Sequence, residues 1–110
     1  ISTDMELGSV GIYAFAQTRV HARRRSNGAQ LFAPISGVAA PPLLVGGILY
    51  VPMADERMLI VNAASGAVLY TVNLGGVPST RPALTQDGIA VGTEFGDVII
   101  VREVAQALLQ

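Results

Sequence analysis

The stretch Asn62–Gly76, NAASGAVLYTVNLGG, has a worn counterpart thirty-eight residues earlier at Arg25–Gly37, RSNGAQLFAPISG. Sliding the chain by that distance superposes Arg19 on Arg57, Val20 on Met58, Gly28 on Gly66, Ala29 on Ala67, Leu31 on Leu69, Phe32 on Tyr70 and Gly37 on Gly75 without a gap. A shift of forty to forty-one then places Pro42 on Pro82, Leu44 on Leu84, Gly47 on Gly88, Ile48 on Ile89, Arg57 on Asp97 and Val61 on Val101. A fixed period of tens of residues marks a repeat architecture, in which each unit is one supersecondary element stacked on its neighbours. The unit occurs almost three times, at about 2–37, 38–76 and 77–103, followed by a tail at 104–110.

Each unit reads as four short strands. In the middle copy, Pro41–Val45 is a first strand whose prolines suit its start, and Gly46-Gly47 is a two-residue hairpin signal. Ile48–Met53 follows, Asp55-Glu56 turns the chain, and Arg57–Asn62 is the third strand. AASG then forms a turn with Gly66 at a left-handed position, before a fourth strand over Ala67–Asn73. The third copy predicts strands at Pro82–Leu84, Ile89–Thr93 and Asp97–Arg102, with hairpin signals at Asp87-Gly88 and Phe95-Gly96, and then stops. Its tail, Val104–Gln110, lacks a turn glycine and reads as a short helix or frayed end. The first copy predicts strands within Ser2–Leu7 and at Val10–Ala16, Arg19–Arg24 and Ala29–Pro34. Short strands rich in Val, Ile, Leu and Tyr at eight- to twelve-residue intervals indicate an all-β protein.

Composition agrees with a folded chain and narrows its chemistry. Of 110 residues, 51% are hydrophobic, enough to build a core, and 14% are charged with a formal net charge of -1, so no global field steers it to nucleic acid or acidic lipid. The basic residues are all arginine, a pattern of genomic composition rather than of phosphate recognition. The absence of cysteine excludes disulfides, thiolate metal sites and cysteine nucleophiles, and a single histidine removes most triads. The uncharged run Val38–Ala54 is broken by Pro41, Pro42, Gly46 and Gly47 and falls short of the ~20 residues of a membrane span. The opening ISTDMELGS has neither an initiator Met nor a basic region ahead of an apolar one, so no signal peptide is visible.

A unit of about forty residues with four antiparallel strands is the blade of a β-propeller. The Gly-His and Trp-Asp dipeptides of the WD40 class are missing. The run PPLLVGGILYVPMADERMLIVNAASGAVLYTVNLGG instead resembles the repeat of the quinoprotein-like (PQQ-type) propellers. The shared features are a proline at the start, a Gly-bounded second strand with Tyr50, an apolar third strand into Asn62, and Ala-x-Gly-x-x-Leu-aromatic ending in Gly-Gly. That family usually has tryptophan where Phe32 and Tyr70 stand, and aspartate where Arg24 and Asn62 stand. The resemblance covers Val10 to about Glu103 and implies antiparallel propeller blades, about 2.75 of them. Propellers close with typically four to eight blades. The expectation is therefore part of a larger propeller, or a chain that partner copies or a partner protein complete.

The family serves quinone-dependent dehydrogenases, outer-membrane assembly scaffolds and extracellular sensor domains alike, so the fold does not choose among them. The leading expectation is a non-catalytic scaffold that engages a protein partner, or further copies of itself, through loops and strand edges, with no cofactor, no nucleic acid and no membrane span. The alternatives are a fragment of a quinone-dependent dehydrogenase or an extracellular sensor domain. The resemblance also implies the cell envelope or exterior.

Candidate interaction residues are few. Arg23, Arg24 and Arg25, near Arg19 and His21, form the only charge cluster, set against the plainer reading of a solvated strand and turn. Arg81 follows Ser79-Thr80 in a connection that faces a propeller's central channel, as a ligand contact or a structural residue. Asp55, Glu56, Glu94 and Asp97 gather at corresponding turns, without the D-x-D-x-D-G spacing of a calcium loop. Tyr13, Tyr50 and Tyr70 are expected between sheets, and His21 is read as packed or surface rather than a general base.

Overall fold

The computed structural model describes residues 4–102. Among them three antiparallel sheets follow one another along the chain. The first is β1 (Asp4–Leu7), β2 (Gly11–Ala16), β3 (Arg19–Arg24) and β4 (Gln30–Ser36); the second is β5 (Leu43–Val45), β6 (Ile48–Pro52), β7 (Arg57–Asn62) and β8 (Val68–Asn73). The third has β9 (Ala83–Thr85), β10 (Gly88–Gly92) and β11 (Val98–Val101). Within every sheet spatial order equals chain order, as consecutive hairpins require. The tail 104–110 lies outside the described residues.

The repeated phrase is one turn built twice. Gly66 N donates to Asn62 O at 2.8 Å and Asn62 N to Ala67 O at 2.8 Å; thirty-eight residues earlier, Gly28 N donates to Arg24 O at 2.8 Å and Arg24 N to Ala29 O at 2.6 Å. Both glycines are left-handed, at φ 78° and 74°, where a side chain would cost about 1–2 kcal/mol. Asn62 adds a side-chain cap, its Oδ1 accepting from Ala64 N at 2.9 Å and Ser65 N at 3.2 Å. The strand that follows carries the same bulge in both copies. Pairing jumps from Arg23↔Gln30 to Ala22↔Phe32 in one and from Val61↔Val68 to Ile60↔Tyr70 in the other, leaving Leu31 and Leu69 as the extra residues.

Registers also correct the second alignment. Leu44 pairs with Leu49 and Leu84 with Ile89, so Leu49, not Ile48, corresponds to Ile89, at a uniform shift of forty. The turn expected at Asp87-Gly88 falls instead on Gln86-Asp87, and Gly88 opens β10. The reason is a close approach: a Cβ on Gly88 would lie 2.5 Å from the Val101 carbonyl oxygen. Glycine is needed there by the neighbouring strand and by its own positive φ of 134°.

Strand alternation divides the core into two layers. Leu49, Val51, Leu59 and Val61 of the second sheet face the first sheet, meeting Tyr13, Val20 and Ala22. The intervening Tyr50, Met58 and Ile60 face the third sheet, meeting Ile89, Val91 and Val101. The two central strands of the second sheet are thus buried on both faces, which is why β6 and β7 read as unbroken apolar runs rather than as alternating ones. Full burial of each such side chain is worth about 1.5–3 kcal/mol.

Candidate interaction surfaces

The arginine cluster of the sequence is dispersed by β geometry. Arg23 and Arg24 are consecutive in β3 and emerge on opposite faces of the first sheet, both exposed. Arg25 folds back along the sheet: its Nη1 donates to Gly8 O at 2.9 Å and its backbone N to Val10 O at 2.8 Å, tying the β3–β4 turn to the β1–β2 turn. The three side chains therefore form no common grip. Arg19, His21 and Arg23, two residues apart, do share one face.

Arg81 sits elsewhere, between β8 and β9. Its Nη1 lies 3.2 Å from Glu6 Oε2, and Glu6 Oε1 accepts from Leu44 N at 3.0 Å. A carboxylate on β1 thereby joins all three sheets where their first strands converge, with the ion pair's side chains only 33% and 21% exposed. Next to Arg81, Thr80 Oγ1 accepts from Gly92 N at 3.0 Å. The connection is held by its own sheet as well as by Glu6.

The acidic turns are exposed and behave as ordinary turn residues. Asp55 pairs with Arg57 at 2.6 Å, and that hydrogen bond holds the Asp55 carboxyl below its usual range. Among the described residues no group of three or more His, Cys, Asp or Glu could hold a metal ion. Tyr13 and Tyr50 are buried as expected, and burial raises both phenols above the usual value. Tyr13 Oη donates to Ala63 O at 2.5 Å across the first layer. Tyr70 departs from expectation, being 48% exposed. Its counterpart Phe32 lies over Gly66 of the next sheet, where an added Cβ would come within 2.6 Å of the ring; no such turn underlies Tyr70 among the described residues.

The surface that sequence reasoning did not locate is a groove. About 720 Å³ of open space runs beside β11, lined by Val72 and Asn73 of the second sheet and by 98–102 of the third. It occupies the place that β8 holds beside β7. Among the described residues β11 is hydrogen-bonded on one side only, to β10, and Val98 and Ile100 are 68% and 39% exposed. Among the described residues the third sheet has three strands, and the groove beside β11 is bounded on its other side by the second sheet's flank.

No family model and no curated protein matches the sequence. Solved structures do match the fold. BamB from Moraxella catarrhalis superposes with a TM-score of 0.70 at 14% identity over 86% of this chain and 31% of its own. The computationally designed Ika4 protein superposes with a TM-score of 0.73 at 14% identity over 89% of this chain and 63% of its own. The fold is that of antiparallel β-propeller blades. A third propeller, the quinohemoprotein alcohol dehydrogenase ADHIIG from Pseudomonas putida HK5, matches with a TM-score of 0.66 at 14% identity over 80% of this chain and 16% of its own. The chain spans less than two thirds of each of these structures, and its three sheets are propeller blades, numbered 1, 2 and 3 in chain order. Among the described residues no helix is long and apolar enough to cross a membrane.

Proposed function

We propose that the chain is a non-catalytic binding or scaffold module whose blade 3 takes up an extended strand of a protein partner along β11. The observation that carries this reading is the groove beside β11, whose walls are the edge of that strand left unpaired among the described residues and the flank of β8. An unpaired edge supplies main-chain donors and acceptors for strand addition, and the apolar wall selects alternate side chains of the guest. Blade 2 supplies the template: β8 pairs with β7 from Arg57↔Asn73 to Val61↔Val68, and a guest on β11 would take the same place at a shift of forty. No cofactor takes part in this reading.

The test is a peptide carrying 67–73 of the chain's own sequence, AVLYTVN, titrated into the protein and followed by amide hydrogen exchange. Binding that slows exchange at the β11 amides not already paired with β10 supports strand addition. Binding without protection at β11, or no binding at millimolar peptide, rejects it.

A further inference from the structure

Cross-strand registers allow the same face to be compared in three blades. The row Leu44–Leu49–Val61 in blade 2 becomes Leu84–Ile89–Val101 in blade 3 and Leu7–Ile12–Arg23 in blade 1. The adjacent row Val51–Leu59 becomes Val91–Ile99 and Ala14–His21. In blades 2 and 3 the third-strand positions of this face are aliphatic, and Leu59, Val61 and Val101 are buried against the preceding blade. Blade 1 places His21 and Arg23 there, extended by Arg19 in the same line. Its first two strands keep apolar residues, with Met5 and Leu7 56% and 64% exposed.

This face is therefore split lengthwise: aliphatic over β1 and β2, basic along β3. Among the described residues no carboxylate shares it, and no ion pair engages Arg19, His21 or Arg23. An ordinary apolar blade would fit it poorly, because stacking would bury Arg23 without a counter-charge, and an unpaired buried charge is strongly unfavourable. The chain's own exposed blade 3 face is no better suited, since strand alternation puts Arg102 beside Val98 and Ile100 there.

We infer that this face of blade 1 docks an acidic amphipathic helix of a partner protein, its apolar stripe on Met5, Leu7, Ile12 and Ala14 and its carboxylates along Arg19, His21 and Arg23. The spacing agrees. Alternate strand residues recur at about 6.6 Å, so Arg19 and Arg23 stand roughly 13 Å apart, and helix positions i and i+8 are about 12 Å apart. A helix lying along the strands presents its apolar stripe and its charged flank side by side, in the same lengthwise division. The site lies at the opposite end of the blade stack from the β11 groove and does not depend on strand addition there.

The experiment uses the whole chain and two labelled fifteen-residue helical peptides with one leucine stripe, flanked in one by a row of glutamates and in the other by lysines, read by fluorescence anisotropy. The glutamate peptide is expected to bind, more weakly as salt rises, and the lysine peptide to bind at least about tenfold more weakly, a difference of about 1.4 kcal/mol. Arg19→Glu with Arg23→Glu is expected to abolish the preference, and Arg19→Gln with Arg23→Gln to reduce it, in protein whose thermal melt is unchanged. Arg24→Glu, on the other face of the same strand, is expected to leave it intact, and none of these changes to alter binding of the AVLYTVN peptide. Equal binding of both helical peptides, equal loss with Arg24→Glu, insensitivity to the paired substitutions, or self-association that covers blade 1 would overturn the inference.

Discussion

The two layers between the blades are built from equivalent positions, yet they end differently. In the layer between blades 1 and 2, Leu31, Phe32 and Ile35 of β4 pack against the core, Phe32 caps the Gly66 turn, and the Tyr13 hydroxyl reaches across to the Ala63 carbonyl. In the layer between blades 2 and 3, the central residues are as deeply buried, with Ile60 and Ile89 at 0% exposure, but the rim is open. Val68, Leu69 and Tyr70 are exposed, and Val72 and Asn73 of the same strand line the groove beside β11. The centre of a blade interface thus needs only strands two and three, whereas its rim needs the fourth strand and the turn of the following blade.

Truncation at matched centres is the strongest way to break this comparison. Leu49→Ala and Ile89→Ala occupy the same repeat position, both fully buried, and each is expected to cost about 2–5 kcal/mol in urea unfolding. Leu49→Ala should cost more, because the open rim lets the second layer relax around a cavity. Equal or reversed costs would show that the rim does not loosen the centre. Next come the paired turn glycines. Gly66→Ala meets both the left-handed backbone and the Phe32 ring, for a loss of roughly 2–4 kcal/mol. Gly28→Ala has the same φ with nothing within 4 Å of the new Cβ, so only the backbone strain of about 1–2 kcal/mol applies.

Tyr13→Phe tests the hydrogen bond across the first layer and should cost about 1 kcal/mol at neutral pH. Burial raises the Tyr13 and Tyr50 phenols above their ordinary value of 10.0. The unfolded chain therefore ionises first, and the stability these groups hold below pH 10 is lost as pH climbs through and beyond that value. Thermal melts should fall steeply on that alkaline limb, and less so in the Tyr13→Phe, Tyr50→Phe double variant. The smallest effect belongs to Tyr70→Ala, expected within about 0.5 kcal/mol of the parent because its ring is half exposed, while Phe32→Ala at the matching position should be clearly destabilising. A costly Tyr70→Ala would mean that the second layer's rim is covered in solution.

Strands and turns were legible because they depend on local rules. Apolar runs bounded by glycine pairs located β5 through β8 to within two residues, and the AASG phrase predicted a left-handed Gly66. Gly88 was misplaced because its glycine answers to Val101 across the sheet, a contact no window of sequence contains. Tyr70 is expected between sheets together with Tyr13 and Tyr50, but its burial depends on what lies in the next blade. The candidate site was less legible still. Arg23, Arg24 and Arg25 are adjacent in sequence, and the period-2 alternation of β3 together with the Gly8 contact separates them.

By itself the sequence determined the repeat, the all-β class and the turns at Gly28 and Gly66, since backbone dihedral preference and strand periodicity act over a few residues. Tertiary structure alone decided which faces are covered, that Glu6 and Arg81 meet across 75 residues, that Arg19, His21 and Arg23 form one basic line, and that a groove lies along β11. Those outcomes depend on how separate blades pack, and contact between distant segments is set by the summed burial of whole faces rather than by any local pattern.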